Sequence, residues 1–374
     1  MNDRRLLSGA LAVAAAIVSG PLSKVASARQ IDRTILAATS CRVSVETSSR
    51  QDFTDIRDVT PLPGSGYLVV DQGQAELWWL PDDLSQGRQI GGRGRGPEEY
   101  LRPERAFRWL GDTTIVTDPG SRSYIFISPG DRIVRKEQFP QPGYWGGLLG
   151  ASANGRLLFG IPARLPDLRG EAILVAADIA PTKVDTITNI ARPETMEVLV
   201  SQDGGRATGR FVAPLPFAAG DAGVMGPDGE VRVVRVSPLR LDRYPPSQPA
   251  VLGLPITYSP VSVTAADRAQ AKTDDQTRRL PWSGGTYRYP AQKSAFVHRS
   301  ALPAPGGTVW LKWQEAHGTS GTLYVRIATN GPRMSCRFPD RTEILRFVDE
   351  DVALGIVSSK DGEIRVTRCR IQST

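Results

Sequence analysis

Two stretches of the 374-residue chain decide the fold, Val59-Thr-Pro-Leu-Pro-Gly-Ser-Gly-Tyr-Leu-Val-Val-Asp71 and Ala106-Phe-Arg-Trp-Leu-Gly-Asp-Thr-Thr-Ile-Val-Thr-Asp118. Each contains a short first strand, a tight turn with glycine, and a second strand that ends in aspartate. A glycine-containing turn between two β-rich runs is typical of a β-hairpin. The two stretches therefore predict two copies of one hairpin.

The same pattern recurs along the chain, in segments with turns of their own at 150–159, 222–234, 300–313 and 345–357. A further strand-like run follows the hairpins. The six hairpin starts lie roughly 45 to 75 residues apart, whereas propeller blades repeat at about 40 to 50 residues. We therefore expect the excess length to lie in loops.

The repeat predicts an all-β fold, a six-bladed β-propeller. An isolated strand at 42–47 precedes the first hairpin and is expected to complete the last blade, which closes the ring. Residues 264–279 lack β-branched runs and predict one short helical insertion near 262–280. A pair of β-sandwich domains is the alternative fold.

The N-terminus has the features of an export signal. Arg4 and Arg5 precede an apolar stretch at 6–18 that is too short to span a bilayer, and Ala26-Ser27-Ala28 fits a cleavage site. These features predict a signal peptide at 1–28, a single propeller domain at 29–374, and a periplasmic or extracellular location without a transmembrane anchor. An uncleaved anchor is the alternative, and the arginine pair leaves ordinary and twin-arginine export open.

Composition narrows the classes of function. The chain has 46 Lys and Arg against 39 Asp and Glu, but its basic residues are scattered, so nucleic acid is not an expected partner. It has only two histidines, His298 and His317, too few for the usual catalytic zinc site. Gly91–Gly96 lacks the Gly-Lys-Ser/Thr ending of a phosphate loop and is better explained as an inter-blade connection.

One segment resembles a known family. It reads Ile90-Gly-Gly-Arg-Gly-Arg-Gly-Pro-Glu-Glu-Tyr-Leu-Arg-Pro103 and is similar to the linker of exported bacterial NHL-like six-bladed β-propellers, Gly-Arg-x-Gly-x-Gly-Pro-Gly-Glu-Phe. Glu98 stands where the family has glycine, and Tyr100 stands where it has phenylalanine. The resemblance extends over most of the chain and implies the fold, but it says almost nothing about activity.

The predicted ring closure also suggests a disulfide. If strand 42–47 lies antiparallel to strand 363–371, the end of one strand faces the start of the other. Cys41 and Cys369 occupy those positions, which predicts a bridge with Cα atoms about 4.4 to 6.8 Å apart. Two unpaired thiols are the alternative, and Cys336 is the expected odd cysteine.

Candidate binding residues come from the linkers between blades, which should share one face of the propeller. Tyr, Trp and Arg are the residue types that most often anchor partners. The candidates are Arg93, Arg95, Tyr100, Arg102, Arg105, Tyr144, Trp145, Arg210, Tyr287 and His298. The alternative is that the aromatic residues pack between blades and the arginines are merely solvated.

Together these features predict an exported, monomeric, non-catalytic propeller that binds a peptide, protein or glycan on its linker-bearing face. No cofactor is predicted, although calcium stays open. The alternative function is a metal-assisted hydrolase or lyase with its ion at the channel mouth, which requires convergent metal ligands there. A structural role in an envelope complex is a third hypothesis.

Overall fold

The computed structural model describes residues 38–64, 66–139, 147–162, 171–178, 184–201, 207–277 and 287–374. The signal peptide predicted at 1–28 lies outside these residues. In the described ranges the protein is all-β with one helix, and its sheets have a propeller-like arrangement. The prediction of an all-β fold is confirmed.

The N-terminal half of the structure consists of consecutive antiparallel sheets. After β1 (Thr39–Ser48), the first sheet contains β2 (Ile56–Pro61), β3 (Tyr67–Asp71), β4 (Glu76–Leu80) and β5 (Arg88–Gln89). A small parallel pair follows, β6 (Gly92–Arg93) and β7 (Glu99–Tyr100). The second sheet contains β8 (Arg105–Trp109), β9 (Thr113–Asp118), β10 (Ser123–Ile127) and β11 (Ile133–Gln138).

The middle of the chain continues this pattern. The third sheet contains β12 (Leu148–Ala151), β13 (Leu157–Pro162), β14 (Glu171–Ala177) and β15 (Val184–Ala191). A two-stranded ribbon of β16 (Thr195–Ser201) and β17 (Ala207–Pro214) separates it from the next sheet. That sheet has three strands, β18 (Ala222–Met225), β19 (Val231–Val236) and β20 (Leu239–Tyr244).

The C-terminal part follows helix α1 (Ala265–Thr277) and forms one eight-stranded sheet. Its strands are β21 (Leu302–Ala304), β22 (Thr308–Lys312), β23 (Thr322–Ala328), β24 (Gly331–Phe338), β25 (Thr342–Phe347), β26 (Val352–Ser358), β27 (Ile364–Ser373) and the N-terminal β1. Their spatial order is β21-β22-β23-β24-β1-β27-β26-β25. Four blade-like sheets therefore accompany one larger sheet, and a count of six blades stays a prediction.

The six predicted hairpins are confirmed. They are the antiparallel pairs β2–β3, β8–β9, β12–β13, β18–β19, β21–β22 and β25–β26. The first strands of these hairpins also contact one another in a closed cycle, from β2 through β8, β12, β18, β21 and β25 back to β2. We call these six strands the inner ring.

The aspartate that ends the repeat has a structural role. Asp118 accepts hydrogen bonds from the N–H groups of Leu101 and Arg102 at 3.0 and 2.8 Å. Asp71 accepts the equivalent bonds from Thr54 and Asp55, both at 2.9 Å. In both copies the carboxylate ties its own sheet to the linker that leads into it, which explains why each hairpin ends in aspartate.

The helical insertion is confirmed at Ala265–Thr277. Thr264 and Asp267 form a capping box, because the Asp267 carboxylate accepts from the Thr264 N–H and the Thr264 hydroxyl accepts from the Asp267 N–H. Lys293 fixes the helix from outside by donating to Asp267 at 2.6 Å. In the described part of the chain, no helix is long and apolar enough to cross a membrane.

The strand predicted at 42–47 does join the C-terminal strand, because β1 pairs antiparallel with β27. The predicted Cys41–Cys369 bridge, however, is wrong. The register places Cys41 opposite Ser373 and Cys369 opposite Val45. On its other side β1 pairs in parallel with β24, where Cys41 lies opposite Cys336.

Cys41 and Cys336 form the disulfide, with Cα atoms 5.1 Å apart. Cys369 is the free, buried thiol. The antiparallel pairing with β27 was anticipated, but the parallel pairing with β24 on the opposite edge of β1 was not. This second neighbour determines which sulfur Cys41 meets.

Candidate ligand-binding site

Arg105 opens the inner strand β8 and is the central residue of the candidate site. Its side chain is exposed to solvent, yet protein surrounds it closely enough that burial lowers the pKa of its guanidinium. Asp58 raises this pKa, whereas the positive charges of Arg346 and Arg299 lower it. An arginine keeps its charge at neutral pH in any case. Arg105 is therefore a positive charge that is exposed to solvent but closely surrounded by protein.

Arg346, on inner strand β25, holds the ring together beside Arg105. Its Nη2 donates to Asp58 Oδ1 at 3.1 Å and to the Ala106 carbonyl at 3.0 Å, and its Nε donates to the Val59 carbonyl at 3.0 Å. Asp58 also accepts from the Ala106 N–H at 3.0 Å. The charge of Asp58 is therefore already engaged by Arg346 and is not a direct partner for Arg105.

Arg299 lies three residues before β21 and adds a third positive charge near Arg105. Its backbone has a positive φ of 63°, so the turn that carries it has a specific shape. Among the described residues, no carboxylate lies within ion-pair distance of Arg105 or Arg299. We call Arg105, Arg299 and Arg346 the basic cluster.

His298 precedes Arg299 and is neutral at physiological pH. Burial lowers the pKa of its imidazole to about 4, and the neighbouring charge of Arg299 adds to this effect. Within the described residues its buried Nδ1 has no hydrogen-bond partner. A neutral imidazole beside the basic cluster adds no charge of its own.

The linker 90–105 carries the predicted residues Arg93, Arg95, Arg102 and Arg105 on one segment, and all four are exposed. The backbone of this linker is fixed, since Gly94 donates to the Tyr100 carbonyl at 2.9 Å and Gly96 donates to the Glu99 carboxylate at 2.8 Å. This supports the inter-blade connection inferred for the glycine-rich stretch.

Tyr100 does not belong to the exposed surface. It is completely buried, donates to the Ile90 carbonyl at 2.7 Å and accepts from the Leu77 N–H at 3.0 Å. The hydroxyl thus links the segment 90–105 to β4 by hydrogen bonds. Because no part of its ring reaches solvent, Tyr100 cannot contact a ligand in this conformation.

The remaining candidates are not brought to the basic cluster by any described contact. Tyr287 donates to Asp275 of α1 at 2.8 Å and stacks on Tyr289, so it anchors the helical insertion. Arg210 lies in β17, and its side chain lies outside the described part, as do Tyr144 and Trp145 entirely.

Sequence reasoning found Arg105 and His298 but missed Asp58, Arg299 and Arg346. Arg299 was adjacent to a chosen residue, so a basic neighbour of His298 was an available signal. Asp58 and Arg346 are 288 positions apart and meet only through ring closure. No local sequence pattern predicts the contact between Asp58 and Arg346.

The alternative function, a metal-dependent enzyme, requires converging ligands. In the described ranges, no group of three or more His, Cys, Asp or Glu side chains is placed to hold a metal ion. Calcium binding stays a prediction, which metal analysis of the purified protein would test.

No protein-family profile and no curated protein sequence matches this chain. Solved structures do match it. A member of the DUF4221 family from Bacteroides vulgatus covers 89% of this chain and 99% of its own, with a TM-score of 0.50 and 8% identity. A Bacteroides fragilis protein inferred to be exported covers 89% of this chain and 95% of its own, with a TM-score of 0.48 and 12% identity.

A catalytically inactive variant of virginiamycin B lyase from Staphylococcus aureus covers 88% of this chain and 99% of its own, with a TM-score of 0.44 and 9% identity. At such low identity, likeness concerns the fold alone. The propeller fold is supported, and membership of the NHL-like family stays a prediction.

Proposed function

We propose that this protein is an exported six-bladed β-propeller that binds an acidic segment of a peptide, protein or glycan at its inner ring, without catalysing a reaction. The observation that carries the proposal is the basic cluster, in which Arg105 and Arg299 lack a carboxylate partner within the described residues.

Six blades follow if the eight-stranded sheet is divided at its only parallel pair, β24 with β1. One half is then β21–β24, and the other is β25, β26, β27 and β1. Each half has four strands, like the first three blade-like sheets. The closed cycle of inner-ring contacts supports this division, because a ring of six first strands needs six blades.

An acidic ligand suits the cluster for electrostatic reasons. The guanidinium group of Arg105 is partly desolvated and is repelled by Arg346 and Arg299. A carboxylate or sulfate group placed there would relieve that repulsion and accept charge-assisted hydrogen bonds, for which the planar guanidinium fork is well shaped.

The ligand is expected to be longer than a single anion. Arg93, Arg95 and Arg102 extend the positive surface along the linker that ends at Arg105, and all are exposed. An extended acidic chain could contact both the linker and the inner ring. This geometry favours a peptide, protein segment or glycan over a small metabolite.

Export is supported by three observations. The N-terminal sequence has the features of a signal peptide. A disulfide joins Cys41 and Cys336, which is expected in an oxidising compartment. One structurally similar protein, from Bacteroides fragilis, is itself inferred to be exported.

An array of acidic, neutral and basic peptides and glycans tests this function. Wild-type protein should bind acidic members, and the double variant Arg105→Ala/Arg299→Ala should bind them at least about tenfold more weakly, since each charged hydrogen bond lost is worth ~1.5 kcal/mol or more. Within the described ranges neither side chain makes an ion pair, so the variant should fold normally.

The matched control is Arg42→Ala/Arg50→Ala, which removes the same charge. Arg42 lies on β1 and Arg50 just after it, both side chains are exposed, and neither residue belongs to the linker 90–105 or to the inner ring. The proposal fails if binding prefers neutral or basic members, or if the control loses as much affinity as the double variant.

A further inference from the structure

A second basic site lies at the turns of the eight-stranded sheet. A cleft of about 400 Å³ opens between the β21–β22 turn and the β23–β24 turn. Its lining includes Gly306, Gly307 and Asn330, and its charged residues are Arg243, Arg326, Arg333 and Glu350. Three guanidinium groups thus face one carboxylate around the cleft.

Two of these arginines are held in position. Arg243 donates through Nε and Nη2 to Glu230, at 2.8 and 2.5 Å, and Arg326 donates to Thr308 Oγ1 at 2.8 Å. Glu350 approaches Arg326 at 3.4 Å, but its own side chain is 72% exposed. In the described part of the chain, the Nη1 atoms of both arginines have no partner.

Arg333 is different because its guanidinium makes no hydrogen bond or ion pair with any described residue. It is exposed at the start of β24, directly beside the cleft. Its charge is therefore available to a ligand without the loss of an internal contact.

Glycine shapes the floor of the cleft. Gly306 and Gly307 both have positive φ, 68° and 71°, which hairpin turns of this kind require. A Cβ at Gly307 would lie 3.0 Å from the Arg243 guanidinium carbon, so a larger residue would push into Arg243. Neither glycine N–H donates to a backbone carbonyl among the described residues, so both amides remain open donors.

We propose that this cleft binds a small oxyanion group, a carboxylate, sulfate or phosphate, between Arg333, Arg326 and Arg243. It is separate from the proposed ligand site at the inner ring. Arg299 lies before the start of β21, whereas the cleft lies beyond its end, so the two sites are at opposite ends of this strand. Guanidinium forks and glycine amides together are typical of oxyanion sites.

Calorimetric titration of the oxidised protein with inorganic phosphate, inorganic sulfate and tricarballylate tests this site. Sodium chloride should hold the ionic strength constant, so that general screening does not change between titrations. We expect at least one of the three oxyanions to bind, and Arg333→Ala to weaken that binding about tenfold. The control Arg50→Ala removes an exposed arginine that belongs to neither proposed site and should leave the affinity unchanged.

The double variant Arg105→Ala/Arg299→Ala separates the two proposals. If the cleft binds oxyanions, this variant retains the binding that Arg333→Ala weakens, whether or not the inner ring binds anything. The cleft proposal is overturned if none of the three oxyanions binds. It is also overturned if Arg333→Ala matches wild type, or if all oxyanion binding disappears in the double variant.

Discussion

At the scale of single residues, burial separates side chains that look equivalent in the sequence. Tyr100 and Arg105 lie five positions apart on one linker, and both are of types that often anchor ligands. Tyr100 is completely buried and its hydroxyl bonds to two backbone groups, whereas Arg105 is exposed and has no ion-pair partner among the described residues. The sequence pattern could not distinguish them, because it does not show which linker residue turns inward.

His298 provides a test at this scale. Burial lowers the pKa of its imidazole to about 4, so the unfolded chain binds a proton more tightly than the folded chain does. Between pH 6.5 and 4, acidification therefore favours unfolding. We expect wild type to lose up to about 3 kcal/mol more of its free energy of unfolding than His298→Gln over this range.

Urea denaturation at several pH values measures that difference. The control is His317→Gln, which removes the other histidine, whose side chain is 45% exposed. Parallel pH profiles for wild type and His298→Gln would contradict the account of a buried, neutral imidazole.

At the scale of strands, the side chains of buried or half-buried arginines join neighbouring sheets. Arg232 of β19 is almost fully buried, pairs with Glu230 at 2.9 Å, and donates to the Ala304 carbonyl of β21 at 2.8 Å. Arg346 joins β25 to β2 and β8 in the same manner. Adjacent sheets are thus connected by charged side chains. Within the eight-stranded sheet, Trp310 of β22 stacks on Phe347 of β25.

Replacing Arg232 with methionine tests this role. The change keeps much of the buried volume but leaves the Ala304 carbonyl and Glu230 with fewer partners. We expect the free energy of unfolding to fall by about 3 kcal/mol, near the lower end for a broken buried pair because Glu230 retains Arg243. Chemical denaturation provides the measurement.

Arg57→Met is the matched control. The Arg57–Asp55 pair is exposed, at 51% and 44% of the two side chains, and such pairs contribute less than about 1 kcal/mol. Equal losses in the two variants would mean that Arg232 does not connect the sheets.

The strands also show what the sequence can and cannot predict. Hairpins were predictable because the glycine turns at Gly155, Gly229 and Gly306 are local signals, each with a positive φ that glycine permits. The parallel pairing of β1 with β24 joins positions almost 300 residues apart, and no local pattern encodes it. The wrong disulfide follows directly from that missing neighbour.

At the scale of the whole molecule, the disulfide ties the N-terminal strand to β24 across a sequence separation of 295 residues. Closing so long a loop restricts the unfolded chain, which predicts a loss of roughly 2 to 5 kcal/mol of stability on reduction. Thermal unfolding with and without reductant measures this loss. Identical unfolding curves would contradict a stabilising bridge.

Thiol labelling checks the pairing itself. Burial raises the pKa of the Cys369 thiol to about 11, so the oxidised native protein should not react with a thiol reagent. After unfolding without reductant, the label should appear on Cys369. Label on Cys336 would instead show that Cys41 pairs with Cys369 and would contradict the Cys41–Cys336 disulfide.

The candidate site also exists only at the scale of the whole molecule. Its three arginines, Arg105, Arg299 and Arg346, come from different sheets or linkers and meet only in the assembled ring. Sequence reasoning correctly located basic residues on a linker but could not show which of them remain unpaired. Arg105 has no carboxylate partner among the described residues because Asp58 pairs with Arg346, and these two residues meet only when the ring closes.

The most direct test of the central claim is an anomalous difference map from crystals soaked in selenate, a heavy analogue of sulfate. We predict a selenium peak between the guanidinium groups of Arg105 and Arg299, and its loss in crystals of Arg105→Ala/Arg299→Ala. A map without selenium at the basic cluster, from crystals in which that cluster is free of lattice contacts, would contradict the proposed acidic-ligand site.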